Sequence, residues 1–408
     1  MAEQHARGPG LTVTGAPPPP RGKGMRTGFT TGACATAAAT AATLALLSGE
    51  QRSFVDITLP IGQQVRFLLH RCEVRDGEAR CAVIKDAGDD PDVTHGAEIS
   101  ATVTWGSCPG IELRGGDGVG TVTRPGLGLD VGGPAINPVP RKMILEHVSA
   151  AAADAIAERG LIVTVSIPNG RELAKKTLNG RLGIVDGLSV LGTTGIVRPY
   201  STAAWRASVG QSIDVAAANG ITEVLMSTGG RSERYGQALT GLTDMALIEM
   251  GEFAGYALRR AVQRGIRTVH VCGMIGKYAK IAQGHFMTHV AGNQVDPHFI
   301  AEIAAEAGAP PALVAHIRLA NTARHTQELA IEHRFPQLFA AVCQRVCDRC
   351  WVHVAGALTL DVVMFDFDGS VLGRVMRERA AAPALVEPVL PSHYAHAGDD
   401  NDDNEDSR

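Results

Sequence analysis

Two histidines four residues apart, His285 and His289, would put their imidazoles on one face of a helix. Such a pair can move a proton or begin a metal site. No acidic residue lies between them and no third ligand is in sight, so no protein-bound metal is expected. Cys343, Cys347 and Cys350 carry the Cys-x3-Cys-x2-Cys spacing that elsewhere holds an iron–sulfur cluster. That spacing is also i, i+4, i+7, one stripe of a helix, and Phe335–Trp351 reads as helical. Cysteine is a good small hydrophobe for such a stripe, and the core reading is preferred. Asp86–Asp92 holds four aspartates around Pro91. It lacks the ligand spacing of a calcium loop and reads as a solvated turn.

Three glycine-rich turns carry the remaining chemistry. Ile184-Val185 and Leu188–Leu191 form an apolar run that stops at Gly192-Thr193-Thr194-Gly195. Glu223–Met226 stops at Ser227-Thr228-Gly229-Gly230-Arg231-Ser232-Glu233, and Thr268–Cys272 stops at Gly273-Met274-Ile275-Gly276-Lys277. Helical patterns lie between them at Tyr200–Asn219 and Tyr235–Gln263, closed by Gly220 and Gly265. Short apolar strands alternating with helices predict parallel βαβ units. Open sheets of that kind bind ligands at the carboxyl ends of their strands, where helix N-termini present free N–H groups. No spaced Gly-x-Gly-x-x-Gly appears, and the GMIGK loop lacks the Ser or Thr that completes a Walker sequence. Tight βα turns would account for each glycine alone; three loops at successive strand ends favour a ligand crevice.

The elements that must position these loops follow from the rest of the chain. With 408 residues, 45% hydrophobic content, 47 glycines and only 4% aromatics, it predicts an Ala/Val/Gly-rich α/β protein of about two domains. A net charge of −4 without a long basic stretch gives no reason to expect nucleic acid. No run approaches the roughly 18 apolar residues of a membrane span, and the N-terminus has no apolar signal-peptide core. A cytoplasmic location is therefore expected, with no membrane partner, and the eight scattered cysteines read as reduced thiols.

Residues 1–23 are rich in Gly and Pro and are expected to be disordered. Arg26–Gly32 leads into a helix over Ala33–Leu47, with Thr30 or Thr31 as N-cap and Gly49 just past its end. That Thr-Thr-Gly turn is either a plain cap or a second anion-binding terminus, and the sequence leaves both open. Phe54–Leu59, Gln64–Leu69, Cys72–Arg75, Ala79–Lys85 and Glu98–Thr104 predict an antiparallel or mixed sheet. Gly115–Pro140 has too many Gly and Pro residues for helix or central strand and predicts a fixed path of turns. A helix over Met143–Arg159 and a strand over Leu161–Ile167 follow. Arg124, Arg141, Lys142, Arg171, Lys175 and Lys176 fall near loop ends. Together they suggest a partner with several carboxylates. Near the end, Phe365–Ser370 copies the nucleophile motif of haloacid-dehalogenase-type phosphatases. With only 38 residues after it, a last strand with a hairpin turn is expected instead.

The chain resembles the CbiD family from about Arg26 to Gly373. The residues that carry the likeness are RTGFTTGACATAA, DGVGTVTRPGLGLDVGGPAINPVPRKMI, KKTLNGRLGIVDGLSVLGTTGIVRPYS, STGGRSE and GMIGKYAKIAQGHFMTHV, in that order. The resemblance implies methyl transfer from S-adenosylmethionine to ring carbon 1 of cobalt-precorrin-5B, giving cobalt-precorrin-6A in cobalamin biosynthesis. The cobalt arrives in the corrinoid substrate. It further implies a mixed-sheet α+β domain intertwined with a Rossmann-like α/β domain. On it we place the donor at Gly192, Thr193, Thr194 and Gly195 and at Gly229, Gly230, Arg231 and Glu233, with Glu233 on the ribose hydroxyls. The macrocycle, with its carboxylate arms, is expected against Thr30, Thr31, Gly32, Arg124, Asn137, Arg141, Lys142, Lys277 and Lys280. The ring is itself the nucleophile; His285 or His289 is the candidate for a ring proton.

The segmentation that results is a tail (1–23), an α+β domain (24–183), a Rossmann-like domain (184–300), completing helices and strands (301–375) and an acidic tail (376–408), with oligomerisation possible. Three rivals are a radical enzyme using S-adenosylmethionine, a corrinoid carrier without catalysis, and a pyridine-dinucleotide oxidoreductase. Iron and sulfide analysis would identify the first, and the carrier would show no dependence on the donor. The missing spaced glycine fingerprint counts against the third.

Overall fold

The computed structural model describes residues 12–13, 25–288 and 294–380; the expectations for the two tails fall largely outside them. The first half of the chain is organised on one helix, Thr31–Ser48, rich in Ala and Thr. Its small side chains let it lie close against the strands around it. Thr36, Thr40 and Thr43 are buried, and each donates its hydroxyl to the carbonyl four residues earlier, so no polar group is stranded. At 18 residues this helix is apolar enough to span a bilayer, contrary to the expectation that no run would be. It is instead 83% buried inside the protein.

Around this helix lie two sheets. Phe54–Thr58 pairs antiparallel with Gln64–Leu68, which Thr12–Val13 joins in parallel. A five-stranded sheet runs Arg71–Arg75, Glu78–Ile84, Glu98–Trp105, Leu161–Ser166 and Ile111–Gly115 in spatial order. All its pairs are antiparallel except the last, so it is the mixed sheet that the period-2 pattern predicts. The helix foreseen over Met143–Arg159 begins earlier, at Pro138, and breaks at Ala152. Pro138 and Pro140 sit in its first turn, where the missing N–H has no intrahelical partner to lose.

The second half is an open five-stranded sheet. Leu247–Glu249, Glu223–Ser227, Thr268–Gly273 and Thr359–Phe365 are parallel, and Val371–Arg377 closes the edge antiparallel. In chain order the strands read second, first, third, fourth, fifth. Side chains alternate between faces. Val224, Met226, Val269, Val271, Leu360 and Val362 pack into a large core with helices Ala254–Gln263, Ile275–Ala282 and Gln337–His353. Leu225, Cys272, Val363 and Phe365 face Tyr235 of helix Gly230–Thr240 on the other side. The single helix foreseen over Tyr235–Gln263 is two helices separated by the edge strand Leu247–Glu249. The break comes at Gly241, in the left-handed region.

Cys343, Cys347 and Cys350 line the buried stripe of helix Gln337–His353. Burial pushes Cys343 and Cys347 up to about 12 and about 11, and Cys350 higher still. Thiols held so firmly protonated in a core are packing groups, as the helical spacing predicts. Phe365–Ser370 forms the hairpin end between the last two strands.

A polar ladder crosses four adjacent strands of the open sheet. Glu223 Oε1 lies 2.8 Å from His270 Nε2, His270 Nδ1 lies 2.7 Å from Asp361 Oδ2, and Arg374 donates to both Asp361 oxygens at 2.8 and 2.9 Å. Burial opposes charge on His270, but Asp361 and Glu223 outweigh it and raise its pKa. Burial likewise opposes the Asp361 carboxylate, which His270 and Arg374 hold below its ordinary value. Stability from His270 is then complete below the usual histidine range and is lost as pH rises through the raised value. That from Asp361 is lost in acid. Urea midpoints should therefore fall as pH rises above the ordinary histidine value of about 6.5, and His270→Gln should flatten that decline. Asp361→Asn should cost about 2 kcal/mol in the same denaturation series.

Candidate functional site

Three helix N-termini offered themselves as anion sites, and their capping separates them. At Thr31–Ser48, Thr30 Oγ1 accepts from Ala33 N, and Gly32 N donates to Leu191 O at 3.0 Å. Thr31 Oγ1 donates to Leu191 O at 3.2 Å and accepts from Leu191 N at 2.9 Å. Thr30 N donates to Gly195 O at 3.0 Å. This terminus is filled by the protein's own loop, so the cap reading holds.

The same contacts move Gly192–Gly195 away from the strand-end loops. Ile184–Val185 pairs antiparallel with Thr121–Val122, and Ile196–Val197 pairs with Gly28–Phe29. Leu188 and Val190 bridge Val119 and Ile136. The run read as the first βα unit is thus woven into the first half of the molecule. A Cβ on Gly192 would meet Thr30 Cβ at 2.4 Å. Gly192, Thr193, Thr194 and Gly195, expected on the donor, form one structural joint with Thr30, Thr31 and Gly32, expected on the macrocycle. The apolar run misled because short paired segments and buried parallel strands look alike in sequence.

The open sheet tells a different story. Its order reverses beside Glu223–Ser227, and the helices following this strand and Thr268–Gly273 start on either side of the switch point. Neither Gly230–Thr240 nor Ile275–Ala282 has a side-chain cap. No atom comes within 4 Å of a Cβ built on Gly229, Gly230 or Gly276, so the space over these loops is open. Lys277 spans the two loops, donating from Nζ to Thr228 O at 2.6 Å. Burial pushes the Lys277 pKa down, against the pull of Glu252 and Glu249. Below the loops, the Ser227 hydroxyl is buried without a hydrogen-bond partner, as is that of Thr288.

Glu233 lies in the first turn of Gly230–Thr240 and is 6% exposed. Both its oxygens accept from Arg181, at 2.8 and 3.0 Å. The pairing and the burial leave little of this carboxylate exposed to the ribose hydroxyls expected on it. Arg181 belongs to the loop after Leu178-Asn179-Gly180, so this pair joins the two halves of the chain at the strand-end crevice. Spacing alone did not single out Arg181. Only its place inside the KKTLNGRLG block marked it.

Arg181 also borders a cleft of about 530 Å³ that includes Arg171, Lys175, Asn179, Asp186 and Asp244. A smaller cavity, about 290 Å³, shares Thr177, Asn179 and Ile184 with it and includes Thr30, Thr31, Lys85, Asp92 and Asn137. There Lys85, 1% exposed on its side chain, holds Asp92 at 2.6 Å. The Asp86–Asp92 turn is therefore not simply solvated: Asp86 pairs with Arg26, and Asp90 accepts from Tyr200 N. Asp86 and Asp89 both hold Arg26, while Asp90 and Asp92 hold Tyr200 and Lys85.

The other expected residues scatter. Arg124 is exposed and reaches toward Met245 Sδ at 3.9 Å. Arg141 is exposed, and Lys142 pairs with Glu146 at 3.7 Å in the first turns of helix Pro138–Ala151. Arg231 is exposed near the Phe367 ring. Lys280 is buried and donates to Thr288 O at 3.0 Å. His285 is half-buried just after helix Ile275–Ala282, with its N–H on Lys280 O. His289 lies outside the described residues. Among the described residues no group of three or more His, Cys, Asp or Glu converges as a metal site.

Comparison with known proteins bears on this geometry. Residues 19–199 match the family described as CbiD, and residues 287–376 match the CbiD C-terminal domain. The chain is 47% identical over 359 residues to a protein of Geobacillus sp. (strain WCH70) named cobalt-precorrin-5B C(1)-methyltransferase, covering 88% of this chain and 98% of that one. A protein of the same name from Rubrobacter xylanophilus is 50% identical over 352 residues, 85% of this chain and 90% of its own. A solved structure, the cobalamin biosynthesis protein CbiD of Archaeoglobus fulgidus, is 24% identical, covers 76% of this chain and 85% of its own, and has a TM-score of 0.35.

Removing Arg181 would leave a buried carboxylate unpaired where the two halves meet. Arg181→Ala should cost about 3 kcal/mol in chemical denaturation. Glu233→Gln in the same background should recover part of that loss, because it removes the stranded charge.

Proposed function

The chain belongs to the CbiD family, and from that membership we infer that it methylates ring carbon 1 of cobalt-precorrin-5B in cobalamin biosynthesis. The donor we assign is S-adenosylmethionine, with cobalt-precorrin-6A as product, and the open sheet as a Rossmann-like donor domain. When bound, the donor supplies an electrophilic methyl group to a ring that is itself the nucleophile.

The observation that carries the donor site is the pair of uncapped helix N-termini at the switch point, with open space over Gly229, Gly230 and Gly276. Free N–H groups there suit the donor's carboxylate, and the unpartnered Ser227 hydroxyl offers a further hydrogen bond. The protein's task is alignment and exclusion of water more than provision of a nucleophile. Lys277 and the Arg181–Glu233 pair keep the two loops in register with the neighbouring cleft. We place the macrocycle in that cleft, where Arg171, Lys175 and Arg181 face its carboxylate arms. His285 is the described candidate for handling a ring proton.

Anaerobic incubation with methyl-labelled donor and cobalt-precorrin-5B should move label to the corrinoid with stoichiometric S-adenosylhomocysteine. Corrinoid binding without transfer would overturn the assignment in favour of a carrier, and release of 5′-deoxyadenosine in favour of radical chemistry. Gly229→Val, which fills the open space, should reduce S-adenosylhomocysteine binding below calorimetric detection. Joint replacement of Arg171 and Lys175 by Ala should weaken corrinoid binding by about tenfold, while Arg141→Ala should leave it unchanged.

A further inference from the structure

Glu233 is paired with Arg181 and 6% exposed, so a more accessible acid at the same strand ends is the better candidate for the donor's ribose. In open sheets that partner stands about 20 residues beyond the glycine loop, at the end of the neighbouring strand. Glu249 has that position: it ends the edge strand Leu247–Glu249, which pairs with Glu223–Ser227. Its side chain is half-buried, and among the described residues no donor hydrogen-bonds to its carboxylate. Burial and the nearby Glu233 raise its pKa, against Arg181 and Lys277.

Two residues on, the chain makes room for an aromatic ring. Gly251 has φ +56°, and a Cβ there would lie 2.7 Å from Cζ2 and 3.0 Å from Cε2 of Trp205. Gly251 N donates to Ser227 O at 3.3 Å, so this turn is fastened to the carboxyl end of the central strand. Trp205 comes from the first turn of helix Thr202–Ala218 and meets Phe253 edge-on, with centroids 6.5 Å apart. The indole is thus held by backbone on one side and by a ring at its edge, yet it stays 46% exposed. Trp205 is thus fixed, and still exposed, against the turn that follows Glu249. It is well suited to stack a planar heterocycle.

We propose that Glu249 and Trp205 form the adenosine subsite of the methyl donor, Glu249 accepting hydrogen bonds from the ribose hydroxyls and Trp205 stacking on the adenine. The proposal rests on the donor being S-adenosylmethionine. It extends the crevice along one line: the two helix termini hold the amino-acid end, the end of the edge strand holds the ribose, and the indole holds the base. The macrocycle, in the cleft beyond Arg181, has no part in it.

Calorimetry with S-adenosylhomocysteine, the unreactive product, tests this on the full-length protein. Trp205→Ala should weaken binding by about tenfold or more, Trp205→Phe should restore most of it, and Glu249→Gln should weaken it by about tenfold. Cobyrinic acid, a stable corrinoid, should bind all three variants as it binds the parent. The three tryptophans of the chain are Trp105, Trp205 and Trp351. In a Trp105→Phe/Trp351→Phe protein, S-adenosylhomocysteine should quench the remaining fluorescence, whereas homocysteine should not. Unchanged S-adenosylhomocysteine affinity in Trp205→Ala would overturn the subsite, as would a loss confined to cobyrinic acid. Failure of the unmodified protein to bind S-adenosylhomocysteine at all would overturn the donor assignment itself, and the subsite with it.

Discussion

A carboxylate that is 6% exposed must have a cation beside it, and for Glu233 that cation comes from the other half of the chain. The Arg181–Glu233 pair is bidentate, so it fixes direction as well as distance. Arg181 sits on the loop that borders the larger cleft, and Glu233 on the first turn of the helix at the switch point. One planar contact therefore sets where the cleft lies relative to the strand ends. On the proposed placement of donor and macrocycle, methyl transfer depends on that relation, because the methyl group and the ring carbon must meet at near-contact distance.

The three helix N-termini show how the same local geometry can serve opposite ends. The N-terminus of Thr31–Ser48 is closed by Thr30 and by the carbonyl of Leu191, and it anchors a loop. The N-termini of Gly230–Thr240 and Ile275–Ala282 have glycine or methionine at the cap position and no side-chain partner. A helix start left unsatisfied beside an unpartnered buried hydroxyl keeps its hydrogen-bonding capacity for a ligand. Several buried polar groups elsewhere are paired within the protein: Lys85 has Asp92, Asp361 has His270 and Arg374, and Thr36, Thr40 and Thr43 have their own helix.

Charge is distributed by the same logic. The ladder from Glu223 to Arg374 ties four strands together through side chains with a single histidine in the middle. It leaves the carboxyl ends of the strands to the glycine loops. The cysteine stripe of Gln337–His353 is buried in the core against that sheet and supplies volume, not chemistry.

Much of this was present in the sequence. Period-2 alternation gave the antiparallel strands from Phe54 to Trp105 within a residue or two, and the helical stripe gave the role of the three cysteines. Five blocks in order identified the family. Gly229, Gly230 and Lys277 were legible as members of strand-end loops, and the structure leaves open space over the two glycines and sets Lys277 between the loops. Pairing partners were not legible. Nothing local distinguishes Ile184–Leu191, which joins the first half through two-residue pairings, from a buried parallel strand. Nothing local tells whether a threonine cap closes a helix start or leaves it open. The edge strand Leu247–Glu249 was hidden inside a helical pattern that breaks at Gly241, and Glu249 was hidden with it. Sequence determined which residues could do chemistry and in which family. Tertiary structure decided which of them stand together, because a contact between residues some 50 positions apart, such as Arg181 with Glu233, is set by how whole sheets pack.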